Sequence, residues 1–155
     1  MKKLLVCYFS ATGNTKSVAE DISKLLNGDL FEIEPQIKYT SKDLDWTDKK
    51  SRSSMEMSDD KSRPEIKNKI ENIDSYSKII IGFPVWWYRE PSIIDTFIEE
   101  NSLEGKEIYL FVTSGGSRVE ECLDSLEKKY SHLNFISGKT LNSSINEREI
   151  LSWIK

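Results

Sequence analysis

The sequence predicts a doubly wound α/β fold built on a five-stranded parallel sheet. Five short apolar runs recur along the 155 residues, each as long as a strand, and three of them are apolar almost throughout. Such continuous runs are typical of strands covered on both faces. Segments with helical periodicity lie between the runs, and this alternation predicts parallel pairing. The length suits a single domain, which we expect to span residues 1–155.

The elements follow one another in a regular order. The first strand is Leu4–Phe9, and a helix from Thr15 to Leu26 follows it, because apolar residues recur there at helical spacing before Asn27 and Gly28 end the pattern. The other predicted strands are Leu30–Ile33, Ile79–Phe83, Ile108–Val112 and, more weakly, Leu133–Ile136. The other predicted helices are Pro91–Glu100, Ser117–Lys129 and Asn146–Ile154, with a fifth within residues 64–74.

Residues 35–63 interrupt this pattern, and we call them the excursion. They are polar and charged with few aliphatic side chains, which is typical of a long, mobile surface loop with some helix. Trp46 is its largest apolar side chain, and we interpret it as an anchor for the loop, with contact to the ligand as the alternative.

Composition excludes several classes of function. The net charge is −4, which argues against a nucleic-acid partner. No apolar run is long enough to span a bilayer, so we expect a soluble, cytoplasmic protein without a membrane partner. Cys7 and Cys122 are too few and too scattered for a disulfide framework or a metal site, and Cys7 fits a small core residue. The only histidine, His132, fits a surface position, so we expect no catalytic side chains.

The stretch Phe9–Lys16, FSATGNTK, predicts a phosphate-binding loop. It follows the first strand and leads into the first helix, so unpaired backbone N–H groups and the positive end of the helix dipole meet there. Short hydroxyl and amide side chains surround Gly13, which allows a tight turn. An ordinary capped helix start remains the alternative.

Other kinds of phosphate loop do not fit. Lys16 is not framed as a Walker A lysine, and one glycine is too few for a dinucleotide fingerprint. A cysteine phosphatase loop would need an arginine where Gly13 stands, and a phosphoacceptor domain would need acidic residues at Ser10 and Phe83. Residues 10–15 offer no basic side chain for cleavage of the phosphate, which favours a ligand that stays bound.

Two further loops follow neighbouring strands. The third strand ends in GFPVWWYREP, which places three aromatic rings between Pro84 and Pro91. One ring could fold back into the core, and the others suit stacking on a planar ligand. The fourth strand ends in TSGGS, where two glycines allow close approach of backbone N–H groups to a ligand edge. The three loops together describe a phosphorylated planar heterocycle, and FMN fits them.

The segments YFSATGNTKSVAE, GFPVWWYREPS and TSGGS make the chain similar to the flavodoxins, specifically the short-chain type with a Trp-Trp flavin loop. The resemblance implies a flavodoxin-like three-layer sandwich with strand order 2-1-3-4-5. It also implies a set of FMN-binding residues: Ser10, Thr12, Gly13, Asn14 and Thr15 at the phosphate; Pro84, Val85, Trp86, Trp87 and Tyr88 beside the flavin ring; and Thr113, Ser114, Gly115, Gly116 and Ser117 at the ring edge.

The resemblance implies a monomeric, low-potential electron carrier that works between a reductase donor and an acceptor enzyme. Two alternatives stay open: an FMN-dependent NAD(P)H:quinone or azo reductase, and a binding module for another phosphorylated ligand. Many flavodoxins have a glycine beside the flavin, where a peptide flips on reduction. Residues 85–88 contain none, so we expect a flip to positive φ to cost more here.

Overall fold

The computed structural model describes residues 3–114, 118–142 and 145–154. Five parallel strands form one sheet in the order β2-β1-β3-β4-β5, which confirms the predicted fold and strand order. The strands are β1 (Lys3–Tyr8), β2 (Asp29–Glu32), β3 (Tyr76–Pro84), β4 (Glu107–Thr113) and β5 (Asn134–Thr140). The helices are α1 (Asn14–Leu26), α2 (Arg52–Met57), α3 (Ser92–Glu100), α4 (Val119–Lys129) and α5 (Glu147–Trp153).

Helices cover both faces of the sheet, which explains the continuous apolar runs. In β1, Leu5 and Cys7 belong to the core cluster that includes α3 and α4. Val6 and Tyr8 belong to the second cluster, with α1 and α5. Because successive side chains of a strand point to opposite faces, both sets must be apolar.

The predicted helix within residues 64–74 is wrong. Its only helical part is a 3₁₀ turn at Ile73–Ser75. The segment instead pairs with the end of β2 and the chain that follows it: Lys67 N donates to Glu34 O at 2.7 Å, and the Asn68 side-chain amide donates to Glu32 O at 2.7 Å. Its polar groups therefore find partners outside a helix.

The remaining differences concern element ends and isolated side chains. β5 extends to Thr140 because it pairs with β4 beyond its apolar part. Cys7 is buried, as predicted; Cys122 is also buried, which raises the pKa of its thiol to about 12. His132 is exposed. Among the described helices, none combines the length and apolar character needed to cross a bilayer.

Candidate functional site

The three predicted loops meet at the carboxyl edge of the sheet. They follow β1, β3 and β4, which are neighbours in the sheet. Two bonds join them directly: Val85 N donates to Thr113 O at 3.1 Å, and the hydroxyls of Thr15 and Thr113 lie 2.8 Å apart. The structure therefore brings together segments that are far apart in the chain.

The 10–15 loop leaves the start of α1 open. Gly13 is the N-cap, with φ of 100°, and no side chain caps the helix. The first hydrogen bond of the helix runs from Ser17 N to Gly13 O, at 3.1 Å. The backbone N–H groups of Asn14, Thr15 and Lys16 come before it, so the helix provides no carbonyl acceptor for them. These donors and the helix dipole make the loop suited to an anion.

The residues Trp86–Arg89 form a tight turn, which we call the aromatic turn. Trp86 N donates to Arg89 O at 3.0 Å, and Arg89 N donates to Trp86 O at 3.1 Å. Trp87 and Tyr88, the two central residues, have φ of 48° and 65°, the pattern of a type I′ turn that normally favours asparagine and glycine. The loop thus already has positive φ without containing a glycine, at a cost of about 1–3 kcal/mol per strained residue.

The aromatic turn divides its rings between core and solvent. Trp86 packs edge to face on Phe9 and Tyr39, with centroids 5.6 and 5.5 Å apart. Trp87 and Tyr88 remain 43% and 67% exposed. The expectation that one of the three rings folds back is confirmed, and Trp86 is that ring.

The loop after β4 is described only in part. Thr113 is buried, and its side-chain hydroxyl contacts Thr15. Ser114 N donates to Asn142 Oδ1 at 2.7 Å. The other three predicted ligand-edge residues, Gly115, Gly116 and Ser117, lie outside the described residues.

A cavity of about 190 Å³ lies where these loops meet. The predicted residues that line it are Thr12, Thr15, Pro84, Trp86 and Trp87, together with Ala11. Three further lining residues come from the excursion and were missed by the sequence analysis: Leu44, Trp46 and Ser53.

The prediction that Trp46 anchors the excursion is wrong. Its side chain is 74% exposed and stands at the cavity. A lone tryptophan in a polar segment was a signal that some surface should cover it, but only the folded chain shows which one.

Ser53 is the least expected member of the cavity wall. It is 2% exposed, and its Oγ has no hydrogen-bond partner among the described residues. Its backbone is fixed, since Ser53 N donates to Asp43 O at 2.9 Å. A buried hydroxyl without a partner is unfavourable, and it is therefore a candidate contact for a ligand.

Tyr39 ties the excursion to the body of the protein. Its ring packs on Phe9 at 5.6 Å as well as on Trp86, and the Arg52 guanidinium lies 3.8 Å from its centroid. Its hydroxyl donates to Glu56 Oε1 at 2.5 Å. Burial and this bond to a carboxylate raise the pKa of Tyr39. The excursion does contain the expected short helix, α2, and these contacts hold it against the aromatic turn.

A buried charge cluster lies directly after the aromatic turn. Glu90 and Asp95, which we call the acid pair, are fully buried. Lys129 Nζ donates to Glu90 Oε2 at 2.7 Å and to Asp95 Oδ1 at 3.2 Å, and the Tyr130 hydroxyl donates to Asp95 Oδ1 at 2.9 Å. Arg89 lies 3.9 Å from each carboxylate.

The acid pair favours one retained proton. Burial and then the hydrogen bond to Glu90 raise the pKa of Asp95 to about 7. Burial alone would raise the pKa of Glu90 too, but hydrogen bonds from Asp95 and Lys129 outweigh it and lower that pKa. Two like charges this close are unfavourable together, which favours the proton on Asp95 and the ionised form of Glu90.

Two of the larger cavities differ in how they lie relative to this site: one adjoins it and the other is remote from it. A cleft of about 410 Å³ adjoins it through Ala11, with Ser10, Lys16 and Tyr39 among its lining residues. A groove of about 510 Å³ lies between the 65–73 segment and α3. The groove is larger but far from the helix start and the tryptophans, so the cavity of about 190 Å³ is the better candidate for a phosphorylated ring.

Comparison with known proteins places these features in a family. A family model described as Flavodoxin matches residues 3–155. A candidate flavoprotein from Bacteroides eggerthii DSM 20697 is 49% identical, with a TM-score of 0.96 over 99% of this chain and 96% of its own. A candidate flavoprotein from Bacteroides uniformis ATCC 8492 is 43% identical, with a TM-score of 0.93 over 99% and 97%.

A more distant structure shares the fold. The flavoprotein from Lactobacillus acidophilus NCFM, solved in complex with FMN, is 24% identical, with a TM-score of 0.78 over 100% of both chains. A search of curated proteins found no match.

Proposed function

Because this chain belongs to the flavodoxin family, we propose that it binds FMN and acts as a low-potential electron carrier. One observation carries the proposal: a single cavity joins the open start of α1 to tryptophan rings. The first suits a phosphate and the second a planar ring. The FMN complex of the Lactobacillus acidophilus flavoprotein supports FMN as the ligand.

The residues present fit a phosphate. No side chain caps α1, so its first N–H groups are available to phosphate oxygens. Thr12 is an exposed residue of the same loop, and Ser10 Oγ holds the turn by accepting from Gly13 N at 3.0 Å. Thr15 contributes its N–H group, since its hydroxyl already contacts Thr113.

The residues present also fit a flat ring. Trp86 is fixed between Phe9 and Tyr39, so it offers a preformed aromatic surface. Trp87 and Pro84 line the same cavity. A surface that is ordered before binding lowers the entropy cost of holding a ligand.

FMN, when bound, supplies one- and two-electron chemistry. The chain's contribution is to orient the ring, exclude water from one side of it and set its electrostatic surroundings. A net charge of −4 and apolar rings oppose additional negative charge in the cavity. That effect lowers the reduction potential and favours an electron carrier.

The partners we propose are a reductase that donates electrons and an enzyme that accepts them, with the carrier itself monomeric. Trp87 and Tyr88 expose 43% and 67% of their surfaces at the aromatic turn. An accessible aromatic rim suits brief docking of redox partners better than an enclosed substrate pocket would.

The test is a visible spectrum followed by stepwise anaerobic reduction. We expect one FMN per chain, a low potential for full reduction, and negligible NAD(P)H oxidation until a separate reductase is added. Rapid NAD(P)H oxidation by the protein alone would instead indicate a quinone or azo reductase. A colourless protein that takes up no added FMN would indicate a module for another phosphorylated ligand.

A further inference from the structure

The excursion places a buried hydroxyl in the cavity wall without giving it a partner. We propose that Ser53 is a cofactor-binding residue whose Oγ donates a hydrogen bond to an oxygen of bound FMN, and that Trp46 covers the bound ligand. The inference rests on the proposed function and adds a fourth segment, from between β2 and β3, to the three loops of the site.

Ser53 cannot readily turn away from the cavity. The Ser51 hydroxyl accepts from Ser54 N at 3.3 Å, and Ser53 N donates to Asp43 O at 2.9 Å, so the backbone on both sides is held. The side chain is 2% exposed, so water does not replace the missing partner. A ligand oxygen in the cavity is the partner that satisfies it.

The polar neighbours of Ser53 indicate the chemistry of that oxygen. Thr12 and Thr15, from the proposed phosphate loop, line the same cavity. An oxygen of the phosphate or of the ribityl chain matches a hydroxyl donor there, and both are available on FMN.

Trp46 has the largest exposed fraction among the large apolar side chains of the described residues, at 74%. The turn that carries it is internally bonded: Thr47 N donates to Asp45 Oδ1 at 3.0 Å, and Asp48 N donates to Asp45 O at 3.1 Å. An ordered turn that holds an indole in water at a cavity rim is explained if a bound ring covers it.

The main test is Ser53→Ala, measured on the apoprotein and in FMN titrations followed by flavin fluorescence. Removing an unsatisfied hydroxyl should leave the apoprotein as stable as the wild type or raise its unfolding midpoint, while FMN binding weakens about tenfold. These opposite effects separate a binding role from a structural one, because loss of a structural hydroxyl would lower both the stability of the apoprotein and its affinity for FMN.

Riboflavin, which lacks the phosphate, is titrated in parallel. A loss confined to FMN assigns the contact to phosphate, and an equal loss for both ligands assigns it to the rest of the molecule.

Ser77→Ala is a matched control. Ser77 Oγ is likewise buried without a partner among the described residues, but it lies at the amino end of β3, away from the cavity. This variant should resemble Ser53→Ala in stability and leave FMN affinity unchanged.

The role of Trp46 is tested separately. Trp46→Ala should weaken FMN binding and reduce the quenching of flavin fluorescence, whereas Trp46→Phe should retain most of the affinity and most of the quenching.

The outcomes separate this inference from the proposed function. Wild-type protein that binds FMN while Ser53→Ala binds it equally well would overturn the inference and leave the function standing. Wild-type protein that does not bind FMN would overturn both. If Ser53→Ala fails to fold, Ser53→Cys replaces only the side-chain oxygen with sulfur and weakens the donor. Weaker binding by that variant supports the contact, and unchanged binding overturns it.

Discussion

The two sides of the proposed FMN cavity are built by different rules. The near side is the 10–15 loop, where a strand, a turn and a helix follow one another directly and the supporting bonds are local, such as Gly13 N to Ser10 Oγ. The far side combines the excursion and the aromatic turn, and it depends on contacts between distant residues. Arg89 Nη2 donates to Met57 O at 3.0 Å, and Ser92 Oγ donates to Glu56 O at 3.3 Å.

This difference teaches where the site is vulnerable. The near side should form whenever β1 and α1 form, because the 10–15 loop connects these two elements directly and they fix its geometry. The far side exists only while a few long-range contacts persist, so substitutions outside the cavity should disturb it more than substitutions beside it.

The largest effect should come from removing the cation that holds the acid pair. Lys129→Met leaves Glu90 and Asp95 buried, and Arg89, 3.9 Å from each carboxylate, is then the one cation beside them among the described residues. Breaking a buried ion pair by removing one partner costs about 3–5 kcal/mol, and urea unfolding should show that loss. Lys128→Met, one residue earlier on α4 and exposed, is the control and should change the unfolding free energy by less than about 0.5 kcal/mol. Equal effects of the two variants would mean that the cluster does not support the far side.

The next effect should come from the tether of the excursion. Tyr39→Ala removes the ring contacts with Phe9 and Trp86 and the bond to Glu56. We expect a loss of about 2–3 kcal/mol, below the usual cost for a fully buried aromatic ring because Tyr39 is only half-buried. Trypsin should cut the excursion faster at Lys49 and Lys50. Tyr39→Phe loses only the hydroxyl, so about 1 kcal/mol is expected; if it behaved like the alanine variant, the rings would not be the tether.

The same contrast explains what could be predicted from sequence. Apolar runs identified all five strands and four of the helices, and the small residues around Gly13 identified the near side, because these features depend on neighbours in the chain. The supposed helix at 64–74 failed because its polar groups pair with residues 32–36. Trp46 and Ser53 could not be assigned, because no local pattern shows which surface a distant segment will face.

The third prediction concerns pH and the far side. The pKa of Asp95 is raised in the folded state, so the folded protein binds this proton more tightly than the unfolded chain does. The contribution of Asp95 to stability therefore falls as the pH rises from about 4 to about 7, and it is constant above that range. The pKa of Glu90 is lowered in the folded state, so its contribution to stability is lost only as the pH falls below the ordinary pKa of a glutamate. Measurements between pH 5 and pH 8 therefore report on Asp95.

The thermal unfolding midpoint of the apoprotein should therefore fall between pH 5 and pH 8. A loss of about 1 kcal/mol in the free energy of unfolding lowers the midpoint by about 2–4 °C in a chain of this size, and we expect a fall of that size or larger. Asp95→Asn should remove most of this slope while keeping the size of the side chain. A midpoint that falls equally in both proteins would assign the slope to other groups.

The smallest effect should come from the strained aromatic turn. Tyr88 has a φ of 65° and is 67% exposed, so strain is removed and little packing is lost in Tyr88→Gly. Glycine is ordinarily less stable than alanine by about 0.5–1 kcal/mol, but at this position Tyr88→Gly should be more stable than Tyr88→Ala by about 1 kcal/mol, because alanine keeps the left-handed strain. The matched pair is Ser17→Gly and Ser17→Ala, at an exposed position in α1 just after the near side, where alanine should be the more stable by a similar amount. Urea unfolding of the four variants measures both differences, and the same sign at positions 17 and 88 would mean that the far side carries no backbone strain.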